Sequence, residues 1–77
     1  MHRTLDPVST LILNLLEKAD EPLETREIEK ILSKITRVKI LYRLNLLRGE
    51  GKIKGKNVGS GKGAWIWWEN NLFVKKR

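Results

Sequence analysis

Cysteine is absent from this 77-residue chain, and histidine occurs only once, at position 2. Without cysteine the chain forms neither a disulfide nor a cysteine-ligated zinc site, and one histidine is too few for a histidine-rich metal site. No apolar run approaches the roughly 20 residues of a membrane-spanning helix. The first ten residues also lack the apolar segment of a usual signal peptide. We therefore expect a soluble protein that needs no metal or cofactor, enters no membrane and is not secreted.

Groups that commonly work together in catalysis are also missing from the sequence. There is no cysteine nucleophile and no pair of histidines, and seven of the nine carboxylates fall within the first 33 residues with no opposing base. His2, close to the end of the chain, is expected to be inert. The sequence therefore predicts a protein that is not an enzyme.

The full chain has a formal net charge of +7, and its positive charge is concentrated in the second half. Residues 1–33 carry four Lys/Arg against seven Asp/Glu, a net charge of −3. Residues 34–77 carry twelve against two, a net charge of +10. This segregation indicates a surface for phosphates or another polyanion. Lysines scattered over an ordinary basic protein are the alternative interpretation.

The length allows one small domain over residues 1–77, with a core from about 7 to 69 and a short basic tail at 70–77. A first helix is predicted to begin at Asp6-Pro7, because Asp is a good N-cap and Pro is favoured at the first helical position. Apolar residues at spacings of three and four then form one stripe, which comprises Val8, Leu11, Ile12, Leu15, Leu16 and Ala19.

A short extended segment at Leu23-Glu24 is predicted to precede a second helix. Thr25 is the expected N-cap of that helix, with Glu27 near its positive end. The buried face of the helix is predicted to consist of Ile28, Ile31 and Leu32, and the turn that follows to point Ile35 inward.

A third helix is predicted over residues 36–48, capped by Thr36 or Ser33 and ended by Gly49 and Gly51. Its core face is expected to carry Ile40, Leu44 and Leu47, whose spacing is four and three. At about 100° per residue, the side chains of Lys39, Tyr42 and Leu46 point away from that face, with Arg37 and Arg43 on its flanks.

A β-hairpin is predicted after the third helix. Residues 52–58 carry Lys at every second position, 59–63 form a Gly-rich tip, and 64–68 are β-prone and rich in Trp. Alternation along the second strand places Trp65 and Trp67 on one face, which we expect to cover the helical core beside Ile53.

The order helix, short strand, helix, helix, strand, strand resembles the winged helix-turn-helix family over roughly residues 7–69, and in particular its small free-standing archaeal, viral or plasmid regulators. The similarity lies in the 28–32 helix, the Ile40/Leu44/Leu47 helix, Gly51-Lys52-Ile53 and the 55–67 hairpin. It implies an α+β fold of three helices with a C-terminal wing. It also implies a double-stranded DNA-binding transcription regulator, with helix 36–48 in the major groove and the wing, 52–68, on the backbone or minor groove.

The resemblance implies two groups of DNA-contacting residues. On the third helix Arg43 and Lys39 are the expected base readers, Arg37 a phosphate contact, and Tyr42 a phosphate or stacking contact. The wing contacts phosphates through Lys52, Lys54, Lys56 and Lys62. For the helix the alternative is a solvated face whose cations pair with Glu27 or Glu29. For the wing the alternative is that the lysines protect an edge strand from aggregation.

Two further functions stay open at this point. A protein-interaction module would expose an apolar patch, for which Val38, Leu41 and Leu46 are available, and an RNA or single-strand binder would expose its Trp side chains for stacking. No long additional helix is available for dimerisation, so we expect a monomer or a weak homodimer. A DNA-binding role predicts a cytoplasmic, nucleoid-associated or nuclear location.

Overall fold

The computed structural model describes residues 6–60 and 64–70. In chain order its elements are α1 (Pro7–Lys18), β1 (Leu23–Glu24), α2 (Thr25–Ile31), α3 (Arg37–Gly49), β2 (Ile53–Asn57) and β3 (Trp65–Glu69). The strands form one antiparallel sheet in the order β1-β3-β2. The predicted α+β class and the three helices are confirmed, and the layout is compatible with a winged-helix-like arrangement.

Helix α1 begins where the sequence predicted. Asp6 is its N-cap, and one carboxylate oxygen accepts a hydrogen bond of 2.8 Å from the backbone N–H of Ser9. Pro7 occupies the first turn, where its missing N–H costs nothing. Leu11 departs from the prediction, because 45% of its surface is exposed although it belongs to the apolar stripe. The core contact of the stripe is made by Ile12 and Leu16, which are buried and lie about 100–140° around the helix from Leu11.

Helix α2 differs from the prediction at both ends. Its N-cap is Glu24, whose backbone N–H donates to a carboxylate oxygen of Glu27 at 2.7 Å. Thr25 is not the cap: β1 runs directly into the helix, so the last extended residue is Glu24 and Thr25 is already helical and buried. The predicted burial of Ile31 is also wrong. The helix has only seven residues, and its core contact is made by Ile28 while 55% of Ile31 is exposed.

Helix α3 follows the predicted pattern closely. Thr36 caps it, accepting a hydrogen bond from the Lys39 backbone at 3.3 Å, and Ile40, Leu44 and Leu47 are fully buried. Gly49 is the last helical residue rather than the first one beyond the helix. The chain then reverses at Gly51, whose φ of 77° lies in the left-handed region that glycine adopts most easily. This turn directs β2 back along the helices.

The core forms where the three helices meet the inner face of the sheet. Its fully buried apolar residues are Ile12, Leu16, Ile28, Ile40, Leu44, Leu47, Ile53 and Trp67. Trp65 packs against this cluster and stacks on Trp67, with ring centroids 5.3 Å apart. The prediction that this Trp pair covers the helical core is confirmed. Large rings at the centre of so small a core supply much of its buried apolar area.

Candidate nucleic-acid interface

The outward face of α3 is less charged than the sequence analysis expected. Stepping 100° per residue from Ile40 places Val38, Tyr42 and Asn45 opposite the core. The exposure of these side chains is consistent with that position: Val38 is 77% exposed, Tyr42 is 60% exposed and Asn45 is also exposed. Lys39 lies beside them and is exposed as well. The sequence analysis did not single out Asn45, although its angle on the helix would have placed it on this face.

Arg43 is held in an ion pair with the start of α1. Its Nε lies 2.8 Å from a carboxylate oxygen of Asp6, and both side chains are partly buried. The pKa of Asp6 is lowered, first because its carboxylate accepts the Ser9 backbone N–H; partial burial opposes this effect, and the charge of Arg43 adds to it. The Arg43 guanidinium also lies 5.1 Å from the centre of the Tyr42 ring. Arg43 therefore joins α1 to the outward face of α3.

Arg37, at the start of α3, is paired with α2. Its Nε lies 3.2 Å from a carboxylate oxygen of Glu29, and about half of the Arg37 side chain stays exposed. This is one of the ion pairs that the sequence analysis named as the alternative to a DNA contact. An exposed pair of this kind contributes about 0–1 kcal/mol, so it can exchange partners at little cost.

The wing lysines lie on the side of the sheet that faces away from the helices. In the β2–β3 register Lys54 is opposite Trp68 and Lys56 is opposite Ile66, whereas Gly55 is opposite the buried Trp67. Since side chains alternate along a strand, Lys54 and Lys56 share the outer face. Lys52 comes just before β2, and all three lysines are exposed. Lys62 falls outside the described residues.

Gly55 allows the wing to close on the core. A Cβ atom built at this position would lie 2.6 Å from the six-membered ring of Trp67, much closer than real contacts allow. The absent side chain therefore lets the Trp67 indole lie directly under β2. The aliphatic part of Arg48 comes close to the same point, at 3.3 Å. This packing fixes the position of the wing relative to α3.

Arg48 links the end of α3 to the wing, a role that the sequence analysis missed. Its guanidinium lies 5.1 Å from the centre of the Trp65 ring. It also lines an open cleft of about 470 Å³, whose other lining residues are Gly51, Ile53, Lys54, Gly55 and Asn70. The end of α3 and the wing therefore line one cleft, to which Arg48 and Lys54 each contribute a basic residue. The linear sequence carries no signal for this contact, because it depends on how the hairpin folds back.

Within residues 6–60 and 64–70 the only ion pairs of these candidates are those of Arg37 and Arg43. Lys39, Lys52, Lys54 and Lys56 form none there and project into solvent. The same part of the chain contains no group of three or more His, Asp or Glu placed to hold a metal ion. None of its helices combines the length and apolar character needed to cross a bilayer.

No known protein-family model matches the chain, and no curated protein is significantly similar to it in sequence.

Proposed function

We propose that this chain is a winged-helix protein that binds double-stranded DNA and acts as a transcription regulator. In this proposal α3 enters the major groove and the β2–β3 wing lies on the adjacent backbone or minor groove. The observation that carries the proposal is the cleft shared by Arg48 of α3 and Lys54 of β2. One basic residue from each element lines this cleft, which supports the use of both elements on a single duplex.

Base reading is assigned to the outward face of α3. The Asn45 amide donates a 2.9 Å hydrogen bond to the Leu41 carbonyl oxygen and can bond to both edge atoms of adenine by using its second N–H or by exchanging this bond, and Lys39 can donate to guanine acceptors. Val38 offers methyl groups to the methyl group of thymine. Tyr42 has a hydroxyl that can donate to a phosphate or a base edge. All four side chains are exposed on the free protein, so they need break no ion pair within its described part to bind.

Arg43 receives a different role from the one first expected of it, whereas Arg37 keeps its expected role. A base contact by Arg43 would break its 2.8 Å ion pair with Asp6 and expose a partly buried carboxylate. We therefore assign Arg43 to holding Tyr42 and α1 in place. Arg37 is more exposed and its pair with Glu29 is longer, so it remains a phosphate contact.

The wing lysines are assigned to phosphates. Lysine is a point charge on a flexible stem, which suits contacts that do not depend on base sequence. Lys52, Lys54 and Lys56 all project into solvent from the segment that forms the outer face of the wing. Two of the three Trp side chains offer little surface for single-strand stacking, because Trp67 is 1% exposed and the Arg48 guanidinium lies over the Trp65 ring.

The experiment that tests this function is selection of bound sites from a pool of random duplex DNA at physiological salt. We expect an enriched motif containing a short block of fixed base pairs. Repeating the selection with Asn45→Ala should relax one position of that block, whereas Lys54→Ala should leave the motif unchanged and lower recovery. A pool that shows neither enrichment nor retention would refute the proposal.

A further inference from the structure

An apolar groove lies on the side of the molecule formed by α1, α2 and the turn after α2. It has a volume of about 280 Å³ and is lined by Leu11, Ile31, Leu32, Ser33, Lys34 and Ile35. Two of these, Leu11 and Ile31, are large apolar residues that remain about half exposed. Neither the outward face of α3 nor the wing contributes to the groove. It is therefore separate from the surface to which DNA binding has been assigned.

Opposite charges stand on either side of Ile31 along this face. Glu27 lies one helical turn before Ile31, and Lys34 follows three residues after it in the turn that ends α2. Glu27 and Ile31 are four residues apart within α2 and project from the same side of it, whereas Lys34 lies in the turn beyond the end of the helix. Both charged side chains are exposed, and Lys34 lines the same groove as Ile31. The stripe is thus negative, apolar and positive in order.

A stripe of this kind is complementary to itself when two copies run antiparallel. We propose that the occupant of the groove is a second copy of this chain, packed across a two-fold axis at Ile31. A two-fold contact places the same patch on both subunits, so Glu27 of each copy faces Lys34 of the other. Ile31 and Leu11 then bury their exposed apolar surface between the two copies. The charge order supports a copy of this chain over a uniformly acidic or uniformly basic partner.

The contact does not require DNA, so it can be tested even if the proposed function fails. Sedimentation equilibrium of the full chain at low ionic strength should show a monomer–dimer equilibrium. Because the patch is small, we expect a dissociation constant between about 10 μM and 1 mM. A chain that stays monomeric up to about 1 mM would overturn the proposal.

Charge reversal identifies the face. Lys34→Glu turns both cross-axis attractions into repulsions and should weaken dimerisation by about tenfold or more. Arg26→Glu is the matched control: it makes the same charge change on α2, but at about 140° from Ile31 around the helix, and it should leave dimerisation unchanged. Equal effects of the two variants would show a general charge effect and overturn the assignment of this face.

Mixing two variants tests the antiparallel pairing itself. Glu27→Lys and Lys34→Glu should each be weak dimers alone, yet their mixture should form heterodimers, because every cross-axis pair is again of opposite charge. Glu27→Lys also removes the acceptor of the Glu24 backbone N–H, so its folding is checked by circular dichroism. If that variant does not fold, Ile31→Ser takes its place as a second probe and should raise the dissociation constant by about tenfold. An absence of heterodimers from two folded variants, or an unchanged constant for Ile31→Ser, would overturn the two-fold arrangement.

Discussion

The indole Nε1–H of Trp67 donates a hydrogen bond of 2.9 Å to the hydroxyl oxygen of Thr25, which lies 42 residues earlier in the chain. Both groups are buried, so neither can turn to water if the bond is lost. The bond ties the central strand β3 to the start of α2. It also explains why Thr25 lies inside the helix rather than capping it.

Replacing Thr25 by Val should lower the free energy of unfolding by about 1–3 kcal/mol, because a buried Trp N–H is left without its acceptor. Thr25→Ser keeps the hydroxyl and is the matched control, with a smaller loss expected. Urea unfolding followed by Trp fluorescence gives both values. Equal stability of the Val variant and the natural chain would contradict the importance of this bond.

Adding one methyl group at Gly55 should destabilise the fold. The new Cβ would lie 2.6 Å from the Trp67 ring, so the ring or β2 must shift, at an expected cost of about 1–3 kcal/mol. Gly49→Ala provides the control, since nothing lies within 4 Å of a Cβ there. At this last helical position alanine should be neutral or stabilising. Thermal unfolding measures the midpoint temperature of both variants. Equal midpoints would contradict the close approach of the Trp67 ring to Gly55.

The charge of Asp6, which accepts the Ser9 backbone N–H and pairs with Arg43, should appear in the pH dependence of stability. The pKa of Asp6 is lowered in the folded protein, so its stabilising contribution is present above the ordinary value of 3.8 and is lost as the pH falls through the folded pKa. Asp6→Asn keeps a good N-cap but has no charge to titrate. The stability difference between the natural chain and this variant should therefore shrink below pH 3.8. A difference that stays constant down to pH 2 would contradict a stabilising role for the Asp6 charge.

The two parts of the proposed DNA surface should respond differently to substitution. Lys54→Ala or Lys56→Ala should weaken binding to all duplexes alike and reduce the slope of log K against log salt concentration by about 1. Asn45→Ala should instead remove about 1–3 kcal/mol of discrimination at one base pair. Lys30→Ala, which removes a similar charge from α2, should change neither quantity. Fluorescence anisotropy with a selected site and a one-base variant measures both effects.

Local signals in the sequence predicted the elements well. The Asp6-Pro7 start of α1, the Thr36 cap of α3 and the buried face at Ile40, Leu44 and Leu47 each depend on residues within one or two helical turns. The Trp65/Trp67 assignment succeeded because alternation in a strand leaves only two faces to choose from. These features are set by short-range geometry, which a sequence displays directly.

The errors arose where distant segments meet. The hydroxyl of Thr25 accepts a hydrogen bond from Trp67 and does not cap α2, and Arg43 forms an ion pair with Asp6 that the sequence analysis did not predict. Arg48 contacts Trp65 and lines the cleft because the hairpin folds back onto α3. Ile31 is exposed because α2 ends at that residue, an end point that the apolar spacing alone did not indicate. Such contacts depend on tertiary packing, which periodicity does not specify.

The most direct test of the proposed function is the salt dependence of binding to a random-sequence duplex. Arg37, Lys52, Lys54 and Lys56 are the four assigned phosphate contacts. Each should release about 0.9 of a counterion, so log K should fall with log salt concentration with a slope of about −3.6 or steeper. An affinity that does not change between low and moderate salt, or no binding at low salt, would contradict the assignment of this surface to duplex DNA.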